Sequence, residues 1–198
     1  MKLIIVRHGE TFENSKGISQ GHLNSQLSQK GIEQARRIAE RLKDININVA
    51  YSSDLDRALN TCKEILKFQR NTSLIETKIL REQSKGIFEG RTKEERDQLF
   101  KGNSVPFHEW LPEGGERLVD VWEKVIPFFE EVKAKHQVET VLFVSHGGPI
   151  SCILAYLHNK EISDFRDYLP EVNTAVSVVE IYGDKTVFKR LNCSQHLD

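Results

Sequence analysis

Apolar, β-branched runs recur at 2–6 (KLIIV), 48–52 (NVAYS), 73–80 (SLIETKIL), 140–145 (TVLFVS) and 174–182 (TAVSVVEIY), and they read as strands. Stretches of helical periodicity lie between them. Ile32, Ala35, Ala39 and Leu42 step by three and four behind a capping Ser28, and Leu55, Ala58, Leu59, Cys62, Ile65 and Leu66 do the same. Alternation of this kind requires helices packed on both faces of a mostly parallel sheet. The last pair differs, because YGDKTV sets Gly183 and Asp184 between two apolar runs as a hairpin does. The predicted class is therefore α/β, three layers α/β/α, with a mixed, mostly parallel sheet and an antiparallel edge strand.

A chain of 198 residues suits one domain spanning 1–198. The stretch 85–116 (KGIFEGRTKEERDQLFKGNSVPFHEWLPEGGE) breaks the rhythm with glycines, prolines and scattered aromatics, and reads as an excursion or small cap over the sheet's edge. A long helix follows with Leu118, Val121, Val125 and Val132 inward, and Pro127 is expected to kink or restart it. A net charge of −1, spread along the chain, gives no pull toward nucleic acid or anionic membrane, so any anion site is local. Cys62, Cys152 and Cys193 are odd in number and lack a CxxC spacing, which fits a reducing, cytoplasmic setting. The run opening MKLIIVRHGE is too short for a signal peptide, and no segment approaches the length of a membrane span.

In an open parallel sheet, ligands bind outside the strands' carboxyl ends. The first run here is followed by Arg7 and His8, the second by Ser53 and then Arg57, the third by Arg81 and Glu82, and the fourth by His146 and Gly147. Taken singly, an arginine past a strand is usually solvated and a histidine there usually structural. Repetition at equivalent topological positions, with Gly9, Gly147 and Gly148 allowing close backbone approach, points instead to convergence on one ligand. Arg7 and Arg57 offer planar donor forks suited to a phosphoryl group. Pro149 in SHGGPI suits the first position of a helix whose free N–H groups would face an anion, and Gly147 just before it is a candidate phosphate contact.

The two histidines then take separate roles. His8, kept neutral by the flanking cations, is the candidate covalent nucleophile. His146 would donate to the phosphoryl oxygens and stabilise charge as the bond breaks. Glu82 would protonate the leaving alkoxide, since a carboxyl group beside a bound dianion can hold a proton near neutral pH, and would later activate water.

The set RHGETFEN (7–14), SSDLDRA (52–58), LREQSKGIFEG (80–90) and VSHGG (144–148) resembles the histidine phosphatase superfamily, the phosphoglycerate mutase-like group that works through phosphohistidine. The resemblance runs over almost the whole chain in the family's order. It implies that His8 is the phosphorylated nucleophile, Glu82 the proton donor, and Arg7, Arg57 and His146 the rest of the phosphate pocket. It adds Asn14, Gln20 and Gly21 as phosphate or substrate contacts, although Asn14 reads equally well as a helix or turn cap. The chain departs from the family's pattern at Asn24 and Gln26, where aspartate and proline are frequent, and at Ser151, where arginine is frequent. Its shortness and its HGG favour the phosphatase branch over the mutase branch.

The expectation is a phosphomonoester hydrolase acting on small phosphorylated metabolites, monomeric or homodimeric, with no cofactor and no metal. Asp54 and Asp56 are too few for a two-metal hydrolase, and Asp54 reads better as a helix cap or first-turn acid. The alternatives are a cofactor-dependent phosphoglycerate mutase, which shares every catalytic residue, and a phospho-ligand binding protein without turnover. In the excursion, Phe88, Phe107 and Trp110 read first as staples to the domain, and Lys85, Arg91, Lys93 and His108 first as solvated groups. Their functional reading is contact with a leaving group or a second acidic group of the substrate.

Overall fold

The computed structural model describes residues 1–198. Strand β1 (Lys2–Arg7) pairs in parallel with β4 (Thr140–Ser145), in a register that sets Arg7 opposite Ser145. On the other side of β4 runs β2 (Val49–Ser53), also parallel, and β3 (Ser73–Thr77) closes that edge. Beyond β1 lie β5 (Val176–Tyr182) and β6 (Lys185–Cys193), each antiparallel to its neighbour and joined through Gly183 at φ +57°. The strand order is β3-β2-β4-β1-β5-β6. The expected mixed sheet and antiparallel edge are both present.

Alternation along each strand builds the layers. Leu3 and Ile5 of β1 and Val141 and Phe143 of β4 point into one core with Val121, Val125 and Phe129 of α5 (Leu118–Lys135) and Ile150 and Ile153 of α6 (Gly147–Leu157). Ile4, Val6, Leu142 and Val144 point to the opposite core, against Ile38 and Leu42 of α2 (Gln29–Leu42) and Ala58 and Ile65 of α3 (Asp56–Leu66). Both cores consist of residues removed almost wholly from water, each side chain contributing roughly 1.5–3 kcal/mol of transfer free energy. Ser28 caps α2 as expected, its hydroxyl accepting from Gly31 N at 3.0 Å. No helix is long and apolar enough to cross a membrane.

Local expectations are corrected at three places. Of the two outcomes expected at Pro127, a restart is overturned, because α5 is one helix from Leu118 to Lys135. The missing N–H costs one hydrogen bond, while burial of Val125, Ile126 and Phe129 around it holds the helix in place. The third apolar run does not stay a strand to residue 80. It leaves the sheet after Thr77 in a 3-10 turn over 78–80, whose Leu80 carbonyl accepts from Ser145 Oγ at 2.7 Å. That bond draws the following residues back toward β4. Asp54 is not a cap, because Leu55 holds that position, and both Asp54 oxygens accept from Arg81 at 2.6 and 2.5 Å.

The 85–116 stretch contains a 3-10 turn at Gly86–Phe88 and one short helix, α4 (Lys93–Phe100), capped by Thr92. Its aromatics staple it down. Phe88 stacks on Trp110 with centroids 4.7 Å apart, Phe100 meets Trp110 edge-on at 5.1 Å, and Phe107 stacks on Phe165 at 5.7 Å.

Candidate active site

Because Arg7 and Ser145 are in register, the residues after them, His8 and His146, leave adjacent strands side by side at the sheet's switch point. Their ring centroids are 5.1 Å apart. His8 Nδ1 lies 2.7 Å from Gly9 O, and a carbonyl can only accept, so Nδ1 carries the proton and Nε2 keeps its lone pair. Burial first, then Arg57 and Arg7, holds the His8 imidazole well below its usual pKa and therefore neutral. His146 is fully buried with Nε2 2.8 Å from Ser53 Oγ, and burial followed by Arg57 and His8 lowers its pKa in the same way.

The two arginines are fixed by backbone carbonyls. Arg57, only 1 % exposed, donates to Leu23 O at 2.7 Å and Gly21 O at 2.8 Å, and burial pulls its pKa down to about 10. Arg7 donates through one terminal nitrogen to Pro170 O at 2.8 Å and Glu171 O at 2.6 Å. Burial lowers its pKa while Glu82 opposes the shift. Arg7 Nε, Arg57 Nε and His146 Nδ1 are buried without a protein partner, a state that costs about 1–3 kcal/mol per group. Arg7 and Arg57 line the cavity that His8 lines, and His146 lies behind His8 without lining it, so two unpartnered guanidinium nitrogens border a space suited to an oxyanion.

Glu82 is held by Gln83 N at 2.9 Å and, more weakly, by Gly148 N at 3.2 Å. This changes the reading of two glycines. A Cβ on Gly148 would collide with Glu82 Oε1, so that glycine makes room for the carboxylate. A Cβ on Gly9 would stand 2.6 Å from Gly31 O, so Gly9 serves strand-to-helix packing rather than ligand approach. Pro149 is the third residue of α6, behind Gly147 and Gly148, rather than the first.

Arg7, His8, Asn14, Gln20, Gly21, Arg57 and Glu82 all line one cavity of about 260 Å3, with Lys85 and Arg96 at its border. Asn14 acts as a cap and also stands at the cavity's wall. In α1 (Phe12–Ser15) its side-chain oxygen caps Thr11 N at 3.1 Å, while the residue still borders the cavity. Gln20 Oε1 is buried without a partner. Gly21 sits at φ +51°, and its carbonyl anchors Arg57. Gly147 faces instead an adjoining cavity of about 710 Å3, which Arg7, Glu82, Lys85, Phe107, Phe165 and Arg166 also line. Of the excursion's basic residues, Lys85 borders both cavities, Arg91 pairs with Glu95 at 3.6 Å and His108 Nε2 lies 3.6 Å from Glu109. Lys93 and Trp110 border a third cavity of about 300 Å3, further out along the excursion. No group of three or more His, Cys, Asp or Glu side chains is disposed to hold a metal ion.

The family model of the histidine phosphatase superfamily (branch 1) matches residues 3–194. The chain belongs to the histidine phosphatase superfamily. It is similar to phosphoserine phosphatase 1 of Hydrogenobacter thermophilus, 32 % identical over all of this chain and 94 % of that one. It is also similar to a metal-independent phosphoserine phosphatase of Arabidopsis thaliana, 33 % identical over 99 % of this chain and 83 % of the other. Among solved structures, a mycobacterial glucosyl-3-phosphoglycerate phosphatase in complex with VO3 superposes with a TM-score of 0.88 at 26 % identity, covering 98 % of this chain and 99 % of that one. With such relatives, this histidine phosphatase is a phosphoric monoester hydrolase of the phosphoglycerate mutase-like fold.

Sequence reasoning left several of this phosphatase's site groups without a role. Ser53 is level with Arg7 and Ser145 in the sheet, and its hydroxyl meets His146. Thr61 accepts from Gly9 N at 2.9 Å and donates to Arg57 O at 2.7 Å, joining the nucleophile loop to α3. Asn173 and Thr174 reach the backbone of Arg7 and His8, because antiparallel β5 begins where β1 ends. The available signal was that reversal of direction, which brings the residues preceding β5 to the functional edge.

Proposed function

We propose that the chain hydrolyses small phosphorylated metabolites through a phosphohistidine formed at His8. The observation that carries this reading is the Nδ1–H to Gly9 bond, which leaves the Nε2 lone pair of a neutral, cavity-lining imidazole available for attack. Nε2 forms a bond to phosphorus as the ester P–O bond breaks, and Glu82 transfers its proton to the departing oxygen. Arg7 and Arg57 hold the phosphoryl oxygens, and His146 donates from Nδ1 while Ser53 O–H donates to its Nε2. Water then attacks phosphorus, Glu82 takes its proton, and His8 leaves as the neutral imidazole. No metal is required by these steps. Asn14, Gln20, Gly21 and Gly147 complete the walls around the substrate.

The substrate reading is a phosphomonoester with a second acidic group. Lys85 and Arg96 line both the His8 cavity and the outer one of about 300 Å3, which Arg166 lines as well, with Lys85 Nζ and the Arg166 guanidinium 5.4 and 5.6 Å from the same Phe107 ring. The named relatives act on phosphoserine and glucosyl-3-phosphoglycerate, which bear carboxylates. A near-balanced charge and three free cysteines support a small-molecule enzyme of a reducing, cytoplasmic compartment.

The test is a panel of phosphomonoesters assayed with a chelator present, comparing wild type with His8→Ala and Glu82→Gln. His8→Ala is expected to lose about 10³-fold or more, and Glu82→Gln about 10²–10⁴-fold. Undiminished turnover in His8→Ala sinks the mechanism. Loss of wild-type activity on chelation restores a metal role, and phosphate relocation on phosphoglycerate without release of inorganic phosphate identifies a mutase instead.

A further inference from the structure

The chain's last 3-10 turn, Gln195–Leu197, lies against α2, where Arg37 donates to Leu197 O at 2.8 Å and Arg41 reaches Cys193 Sγ at 3.3 Å. It carries His196 to the edge of the nucleophile loop. His196 Nδ1 lies 3.5 Å from a terminal nitrogen of Arg41, and Nε2 lies 2.9 Å from Thr174 Oγ1. The bond directions follow from the partners. A guanidinium only donates, so Nδ1 accepts, and Thr174 Oγ1 already gives its single hydrogen to Asn173 O at 2.7 Å, so Nε2–H donates to Thr174. Burial, then Arg41 and Arg37, lowers the His196 pKa to about 4, which preserves this neutral tautomer.

What His196 braces is an uncommon backbone. Thr174 is fully buried and held at φ +59°, a left-handed conformation that a β-branched residue adopts only where surrounding contacts enforce it. In that conformation its N–H is shared between Arg7 O at 3.1 Å and His8 O at 3.2 Å. The preceding Asn173 donates from Nδ2 to His8 O at 3.0 Å and to Asn14 Oδ1 at 3.3 Å. The carbonyl of the nucleophile residue therefore takes two donors, both from the pair that His196 supports. The mechanism described above uses none of these three residues.

We propose that His196 is a positioning residue for His8: by holding Thr174 in its left-handed backbone it keeps Asn173 and Thr174 on the His8 carbonyl and fixes the reach of Nε2 to phosphorus. The proposal rests on the reading of His8 as the nucleophile. A residue acting this way affects the chemical step more than the capture of substrate, because Arg7 and Arg57 keep their other anchors.

The experiment uses the full chain with para-nitrophenyl phosphate, well below each variant's melting temperature. His196→Ala is expected to lower kcat about ten-fold with KM changed less than about two-fold. His196→Gln, whose amide can donate to Thr174, is expected to recover kcat to within about three-fold of wild type. His196→Phe keeps the bulk without either nitrogen, and carries the same expectation as His196→Ala should the latter fail to fold. A lowered melting temperature with unchanged kcat overturns the proposal, as does an equal kcat loss in His196→Gln. Full activity of His8→Ala removes the underlying reading instead, so the two failures are distinguishable.

Discussion

The strand ends and the 85–116 excursion border the same cavity but are held by different means. His8 and His146 follow adjacent strands and Arg57 stands in the first turn of α3, and each is buried and tied to backbone or to a hydroxyl at 2.7–2.8 Å. Lys85, Arg96 and Phe107 stand on short turns and a two-turn helix that aromatic stacking pins at a few points. Register sets the spacing of the two histidines, which cannot change without slipping a strand, and α3 packed on the sheet carries Arg57. Loop packing dictates the second, and it can vary without disturbing the core. On the proposed function, chemistry is expected from the first group and selectivity from the second.

The strongest way to break that division is to remove one arginine from each part. On the proposed mechanism Arg57→Ala removes one of the phosphate donors, and is expected to lower kcat/KM about 10²–10³-fold on every phosphomonoester. Arg96→Ala is expected to leave neutral-tailed substrates within about two-fold, and to lose about ten-fold only on substrates with a second acidic group. Steady-state kinetics on matched acidic and neutral phosphoesters decides it. Equal losses on both substrate types in Arg96→Ala would mean that the excursion takes part in the chemistry as well.

Gly148→Ala probes the joint between the two parts, because Glu82 leads directly into the excursion. An added Cβ collides with Glu82 Oε1 and must displace the carboxylate. The expected result is about a 10²-fold fall in kcat for poor leaving groups and a smaller fall for para-nitrophenol, which departs without a proton donor. Comparing the two leaving groups checks whether the loss comes from Glu82 or from general disruption.

The same contrast governs how much the sequence disclosed. Residues that follow strands are legible, since TVLFVS occupies all of β4 and its neighbour in register carries His8. Capping is legible where one hydroxyl decides it, as at Ser28. Tertiary choices are less so. Asp54 has the chemistry of a cap, but Arg81 lies close enough to take both its oxygens. Gly9 has the freedom to admit a ligand, but Gly31 of α2 fills the space. Lys85 and Arg96 resemble any surface cations until the excursion folds them over the cavity, whereas Arg91 and His108, equally plausible in sequence, turn to neighbouring acids.

Burying neutral histidines at the strand ends makes stability depend on pH. In the unfolded chain His8 and His146 take protons near the ordinary 6.5, while in the folded chain burial and Arg57 keep them neutral well below that. The unfolded state thus binds more protons as pH falls below about 6.5, and stability, full above that value, declines beneath it by up to about 1.4 kcal/mol per pH unit for each histidine. Urea midpoints measured between pH 7.5 and 5 check the slope. His8→Ala is expected to remove its share of that slope.

The smallest effect is expected where an ion pair sits close to the site without entering it. Arg81 and Asp54 form a two-pronged bond of good geometry, with side chains 26 % and 20 % exposed. Arg81 also directly precedes Glu82, so its sequence position could be read as functional. The pair nevertheless faces partly into water, where screening and side-chain entropy reduce its worth to about 0–1 kcal/mol. Asp54 is held below its usual carboxylate range chiefly by the Arg81 hydrogen bond, so this contribution is present above the ordinary Asp pKa and is lost as pH falls through the lowered one. Arg81→Ala is therefore expected to cost no more than about 1 kcal/mol in urea unfolding at pH 7 and to leave kcat within about two-fold. A ten-fold kcat loss would place Arg81 with Arg57 rather than with the scaffold.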